Sequence, residues 1–213
     1  MSKALIVFSG GQDSTTCLAY ALKHYDEVET ITFHYNQRHA EEVEIAQKIA
    51  KDFNVKNTCI DVSLINDLTE NALTRDIDIK SDGDVPNTFV PGRNILFFNI
   101  ASIAAYQIGA DTIVTGVSET DFSGYPDCRS DFVTALEHAI HLGLDRHIKI
   151  DTPLMDKDKS EVWEMADELD VFDYIKNETL TCYNGIKGSG CRECPACILR
   201  NEGLEEYEKR KFN

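Results

Sequence analysis

The stretch Ala4-Leu5-Ile6-Val7-Phe8-Ser9-Gly10-Gly11-Gln12-Asp13-Ser14 decides the fold. Its first five residues are apolar and rich in β-formers, so they read as a buried strand. The next six read as a turn into a helix beginning near Thr15. Two glycines let backbone N–H groups approach a polyanion, Ser9 and Ser14 add hydroxyl donors, and a helix N-terminus carries partial positive charge. The string is a phosphate cradle. It lacks the Gly-Lys-Ser/Thr of a Walker A loop and the spacing of the dinucleotide G-x-G-x-x-G. The plainer alternative is an ordinary strand-to-helix turn with Asp13 as N-cap.

Outward from this loop, short Val/Ile/Thr-rich runs alternate with helical periodicity. Ala4 to Phe8, Val28 to His34, Val55 to Asp61, Asp111 to Gly116 and His147 to Asp151 are the expected strands. Between the second and third, His39 to Phe53 places Val43, Ala46, Ile49, Ala50 and Phe53 on one face and Glu41, Glu42, Glu44 and Lys48 on the other, an amphipathic helix. Strand, helix, strand repeated in this way predicts an α/β fold, a doubly wound five-stranded parallel sheet covered on both faces. Ligands of such sheets bind beyond the carboxyl ends of the strands. Asp76 to Pro91 has no periodicity and reads as a long loop, a candidate lid. Pro195 to Lys211 is a final helix whose Lys209-Arg210-Lys211 complements its dipole.

The 213 residues predict one domain, residues 1–213, with an appended segment over 179–213. Twenty-one Lys and Arg against 37 Asp and Glu leave a net charge of -16. Nucleic-acid affinity comes from cations that neutralise phosphates, so small-molecule substrates are favoured over nucleic acid. The longest apolar stretch, Ile95 to Ala105, is interrupted by Asn99 and Ser102 and falls short of a membrane span. Ala4 to Phe8 is too brief for a signal-peptide core. A cytoplasmic protein without membrane contact is therefore expected, and Asn177-Glu178-Thr179 is a chance glycosylation triplet.

A reducing compartment turns the seven cysteines toward metal or catalysis. Cys182, Cys191, Cys194 and Cys197 have intervals of eight, two and two residues, with Gly185, Gly188 and Gly190 between the first two. Four such thiolates close a tetrahedral structural zinc shell, with an iron–sulfur cluster as the main metal alternative. Cys17 and Cys59 are expected to be small core residues. His138 and His141 fit a surface helix face, and His34 and His39 flank the end of the second strand without an assigned catalytic role.

Val117 to Arg129 follows the fourth strand and so emerges at the ligand-binding edge. It carries Glu119, Asp121, Asp127 and Arg129 around Tyr125. Carboxylates could accept from the N–H groups of a purine-like heterocycle, Tyr125 could stack on it, and Arg129 could pair a carboxylate; a polar surface loop is the alternative. Arg93 and Lys159 are either solvated cations or phosphate holders.

Ser9-Gly10-Gly11-Gln12-Asp13-Ser14 matches the Ser-Gly-Gly-x-Asp-Ser signature of the PP-loop ATP pyrophosphatase superfamily. Asn36-Gln37-Arg38-His39, Phe89-Val90-Pro91-Gly92-Arg93-Asn94, Glu119 to Arg129, Pro153-Leu154, Lys159, Thr179 to Gly185 and the last cysteines together resemble the 7-cyano-7-deazaguanine synthase family over nearly the whole chain. One departure is Ser118, where a cysteine is expected.

The resemblance implies an adenine nucleotide alpha hydrolase-like fold and a nucleotide segment of Phe8, Ser9, Gly10, Gly11, Gln12, Asp13, Ser14, Thr15, Thr16, Cys17 and Leu18. It implies catalytic roles for Asp13, as a magnesium holder, and for Arg93 and Lys159 at the phosphates. Glu119, Asp121, Tyr125, Asp127 and Arg129 would bind the substrate. The implied reaction joins 7-carboxy-7-deazaguanine and ammonia, with two ATP-dependent activations, to give a nitrile in queuosine biosynthesis. Zinc, magnesium-ATP and a homodimer are implied with it. A PP-loop enzyme that thiolates a tRNA base and a non-catalytic, zinc-stabilised nucleotide-binding module are the alternatives.

Overall fold

The computed structural model describes residues 1–35, 41–69, 88–120 and 125–212. The chain runs β1 (Lys3–Val7), α1 (Gln12–His24), β2 (Glu27–His34), α2 (Glu41–Asp52), β3 (Lys56–Asp61), α3 (Arg93–Ile108), β4 (Thr112–Val114), α4 (Ser130–Leu144), β5 (Lys149–Asp151), α5 (Lys159–Glu168), α6 (Phe172–Glu178) and α7 (Pro195–Lys211). Five strands stand in the order β3-β2-β1-β4-β5, and every neighbouring pair is parallel. The strand order reverses between β1 and β4, which is where a doubly wound sheet opens a crevice at its carboxyl edge.

The two-residue period of β1 explains the double winding. Ala4, Ile6 and Phe8 point to one face and join Leu18 and Ala21 of α1 and Ala46 and Ile49 of α2. Leu5 points to the other, with Ile31, Phe33 and Ile113 against Ala101 and Ala105 of α3. Phe98, Val133, Ile140 and Ile150 extend that second layer under α4. Burial on both faces favours continuous apolar runs over alternation, and each fully buried Leu, Ile, Val or Phe contributes roughly 1.5–3 kcal/mol. Among the described residues, no helix is long and apolar enough to cross a membrane.

Several expected boundaries shift. The first helix begins at Gln12, not near Thr15, because its opening turn is built from the cradle itself; its N-cap is Gly11, not Asp13. β4 and β5 are three residues each. Cys17 is fully buried, but Cys59 is exposed. β3 is an edge strand of the sheet, and four of its six residues face solvent. His138 is exposed and His141 half-buried on α4, the latter ring 5.6 Å from that of His147. His39 and residues 76–87 of the expected loop lie outside the described residues.

Candidate active site

The carboxyl ends of β1 and β4 form the floor of a cavity of about 710 Å³. Ser9, Asp13, Lys159, Arg93, Tyr125 and Tyr183 are among its lining residues. Backbone sterics bring them together. Gly10 holds φ +78°, and a Cβ there would lie 3.0 Å from the Cα and N of Ala46 on α2. Gly116, just past β4, leaves only 3.0 Å between its would-be Cβ and that of Asp13. Glycine at both positions lets the first turn of α1 sit between its neighbours.

That turn keeps open donors. Gly11 caps α1 without a side-chain bond. The Gln12 N–H donates to Thr181 Oγ1 at 3.2 Å, and Ser9 and Ser14 hydroxyls are 3.1 Å apart. The N–H groups of Asp13 and Ser14 have no protein acceptor among the described residues. Free N–H groups at a helix N-terminus suit an anion.

Lys159 Nζ donates to both carboxylate oxygens of Asp13, at 2.9 and 2.7 Å. The lysine side chain is 8% exposed and the aspartate 30%. A local signal positions the lysine: Asp158 accepts the Glu161 N–H while Glu161 accepts the Asp158 N–H, a capping box that fixes Lys159 as the first residue of α5. Gly203 of α7 presses on the same place, where a Cβ would stand 2.8 Å from the Lys159 carbonyl carbon.

Arg93 opens α3 after Gly92, which takes φ +77°. Burial opposes its charge, but the Tyr35, Tyr125 and Asp127 side chains hold the guanidinium charged, raising its pKa. Among the described residues it makes one side-chain hydrogen bond, a long 3.5 Å contact to Tyr35 Oη, and no ion pair. Most of the five donors of this cation are left for a ligand. Tyr125 shares a 2.6 Å hydrogen bond with Thr88.

The remaining residues of the 117–129 segment take other positions. Glu119 Oε2 accepts the Ser130 N–H at 3.1 Å, at the start of α4. Asp127 Oδ2 accepts the Asn94 N–H at 3.3 Å, at the start of α3, and burial raises its pKa. Its Oδ1 is buried without a partner among the described residues. Arg129 is the exposed residue preceding α4, and these three do not line the cavity. Asp121 lies outside the described residues, as does Asn36-Gln37-Arg38-His39. Ser118 does line the cavity and donates to the Lys157 carbonyl at 3.2 Å.

Cys182, Cys191, Cys194 and Cys197 place their sulfurs within 4.8 Å of one another. Zn–S bonds of about 2.3 Å in a tetrahedron set the sulfurs ~3.8 Å apart, and Cys191 and Cys197 already stand at 3.9 Å. Burial raises the Cys194 and Cys197 thiols. Burial also opposes ionisation of Cys191, but N–H groups of Cys194 and Glu193 donate to its sulfur at 3.3 and 3.4 Å and hold it down at about 6. One sulfur held toward the thiolate and two held back from it fit a soft divalent cation, which supplies the missing charge. The site can hold a metal.

Sequence reasoning missed Thr181, Tyr35 and Tyr183 in the cavity wall, as well as the buried Arg200, whose Nη2 donates to the Ile175 carbonyl at 2.9 Å. The run Thr179 to Gly185 was the sequence signal for Thr181 and Tyr183, and it named a segment without a direction.

A family model described as "Queuosine biosynthesis protein QueC" matches residues 3–208. The 7-cyano-7-deazaguanine synthase of Bacillus subtilis (strain 168) is 60% identical over 207 residues, 96% of this chain and 94% of that protein. Among solved structures, a 4-thiouridine synthetase in complex with RNA and bound ATP has a TM-score of 0.51 at 20% identity, over 99% of this chain and 53% of its own. The NH3-dependent NAD synthetase of Campylobacter jejuni has a TM-score of 0.51 at 13% identity, over 82% of this chain and 66% of its own. At those identities the two structures share the fold alone.

Proposed function

Because the chain belongs to the family of the queuosine biosynthesis protein QueC, we propose that it uses ATP to convert 7-carboxy-7-deazaguanine and ammonia into 7-cyano-7-deazaguanine. The observation that carries the reading is the Asp13–Lys159 pair, set beside free helix N–H groups at the mouth of β1. A carboxylate resists ammonia because oxide would have to leave. Attack of a carboxylate oxygen on the α-phosphorus of ATP expels pyrophosphate and gives an acyl adenylate. Ammonia attacks its carbonyl carbon, AMP departs, and loss of a proton from nitrogen leaves the amide. The amide oxygen attacks a second ATP in the same way. Departure of AMP with both nitrogen protons then leaves the nitrile.

The loop from Ser9 to Ser14, continued by Phe8 and by Thr15 to Leu18, takes the nucleotide. Arg93 and Lys159 face the charge that develops on the transferred phosphorus. Asp13 is the hard oxygen donor that would hold magnesium alongside the phosphates, where the ion would supply positive charge beside a leaving pyrophosphate. Tyr125 offers a ring to the heterocycle, Glu119 and Asp127 brace the wall around it, and Asp121 and Arg129 complete the substrate segment. Zinc in the four-cysteine site organises residues 179–213 within a single domain.

Incubation with ATP, ammonium and the carboxylated deazaguanine should yield the nitrile by mass. Heavy oxygen in the substrate carboxylate should appear in AMP. Label found only in water would exclude adenylylation.

We also place the protein in the cytoplasm, free of nucleic acid, as a homodimer. Ile95, Ile103 and Tyr106 of α3 and Leu142 of α4 support the last point, since all four are exposed apolar side chains on one layer of the fold. Light scattering should give twice the 24.0 kDa of the chain; a monomer at working concentration would refute it.

A further inference from the structure

The cysteine cluster and the cavity meet in one residue. Tyr183 directly follows the ligand-type Cys182, whose sulfur accepts the main-chain N–H of the next residue, Asn184, at 3.3 Å. Cys194 in turn donates its own N–H to Cys191 Sγ at 3.3 Å. The backbone of Tyr183 is thus fastened to the sulfur cage, while its side chain lines the cavity. Tyr125, whose hydroxyl is hydrogen-bonded to that of Thr88, lines the same cavity. Arg93, with spare donors and no ion-pair partner among the described residues, stands in the same wall beside Tyr35 and Tyr125.

Two ring-bearing side chains from distant segments, lining one cavity together with a buried guanidinium, fit a flat heterocycle with an anionic substituent. Rings hold such a molecule by stacking, and a guanidinium holds a carboxylate bidentately. We propose that Tyr183 is a specificity-determining residue: with Tyr125 it grips the heterocycle of the substrate, while Arg93 takes the carboxylate, and the cysteine cluster sets the position of the Tyr183 ring. The proposal rests on the function given above, whose substrate it locates. It gives the cluster a part in recognition, where a purely structural knuckle would have none.

Titration calorimetry with 7-carboxy-7-deazaguanine in the absence of ATP tests it, with ATP binding and zinc content measured on the same preparations. Tyr183→Ala should weaken heterocycle binding about tenfold or more, the effect of losing one base-stacking ring. ATP affinity should stay within about twofold and zinc at one per chain. Tyr183→Phe keeps the ring and should weaken binding only about threefold, through loss of the hydroxyl as a hydrogen-bonding group in the cavity wall. Heterocycle affinity unchanged in Tyr183→Ala, or an equal loss for ATP, overturns the proposal. If the alanine variant does not fold, Tyr183→Phe decides, and unchanged affinity there overturns it. Wild-type protein that binds ATP but not the heterocycle overturns the functional reading itself, a result separate from any variant.

Discussion

Lys159→Met should lower kcat by about 10²–10³-fold, the usual effect of removing one group that stabilises transition-state charge. In the free protein the ammonium is closed on both oxygens of Asp13. On the proposed function, nucleotide with its cation would compete for that carboxylate and turn the ammonium toward phosphate. The two side chains therefore act as a unit, and the double variant Asp13→Asn/Lys159→Met should be no slower than the slower single one. Steady-state rates of the three variants at saturating substrates form the cycle. Multiplying effects would mean that the residues act independently. Stability should change little, by about 1 kcal/mol or less, because Asp13 is 30% exposed and water screens the charge left behind.

The second large effect is on the fold. Cys194→Ser should abolish stoichiometric zinc and leave the segment between α6 and α7 open to proteolysis. Cys194 is 6% exposed and is the N-cap of α7. A structural zinc contributes its binding free energy to folding, so strong chelation of the wild type should give the same cleavage pattern. Elemental analysis and limited proteolysis read both. A serine variant that keeps its metal and its resistance would show that the sulfurs are not a metal site.

Legibility in the sequence followed the range of the interactions. The strands of the sheet could be read because Ala4 to Val7 is apolar on both faces and β-rich, which is a local property. The cysteine cluster could be read because three of its members fall within seven residues. Lys159 was ambiguous, since its partner lies 146 residues away, although the Asp158-to-Glu161 capping box was present to mark the start of α5. Glu119 and Asp127 were read for their charge, but a carboxylate serves a helix N-terminus as well as a ligand. Only the positions of Ser130 and Asn94 tell which neighbour it meets. Cys59 was misread because a β-rich run does not reveal whether its strand is central or at the edge.

The closure of the phosphate cradle has a consequence for biosynthesis on the ribosome. The Gly10 carbonyl accepts the Leu180 N–H, and the Gln12 N–H reaches Thr181, 169 residues later. β1 also waits for β4 to complete its pairing. A nascent chain that exposes only its first 170 residues holds every residue of the Ser-Gly-Gly-x-Asp-Ser string but lacks the partners that fix its backbone. On the proposed function, nucleotide should therefore gain no firm hold on the growing polypeptide until the Leu180–Thr181 dipeptide clears the exit tunnel.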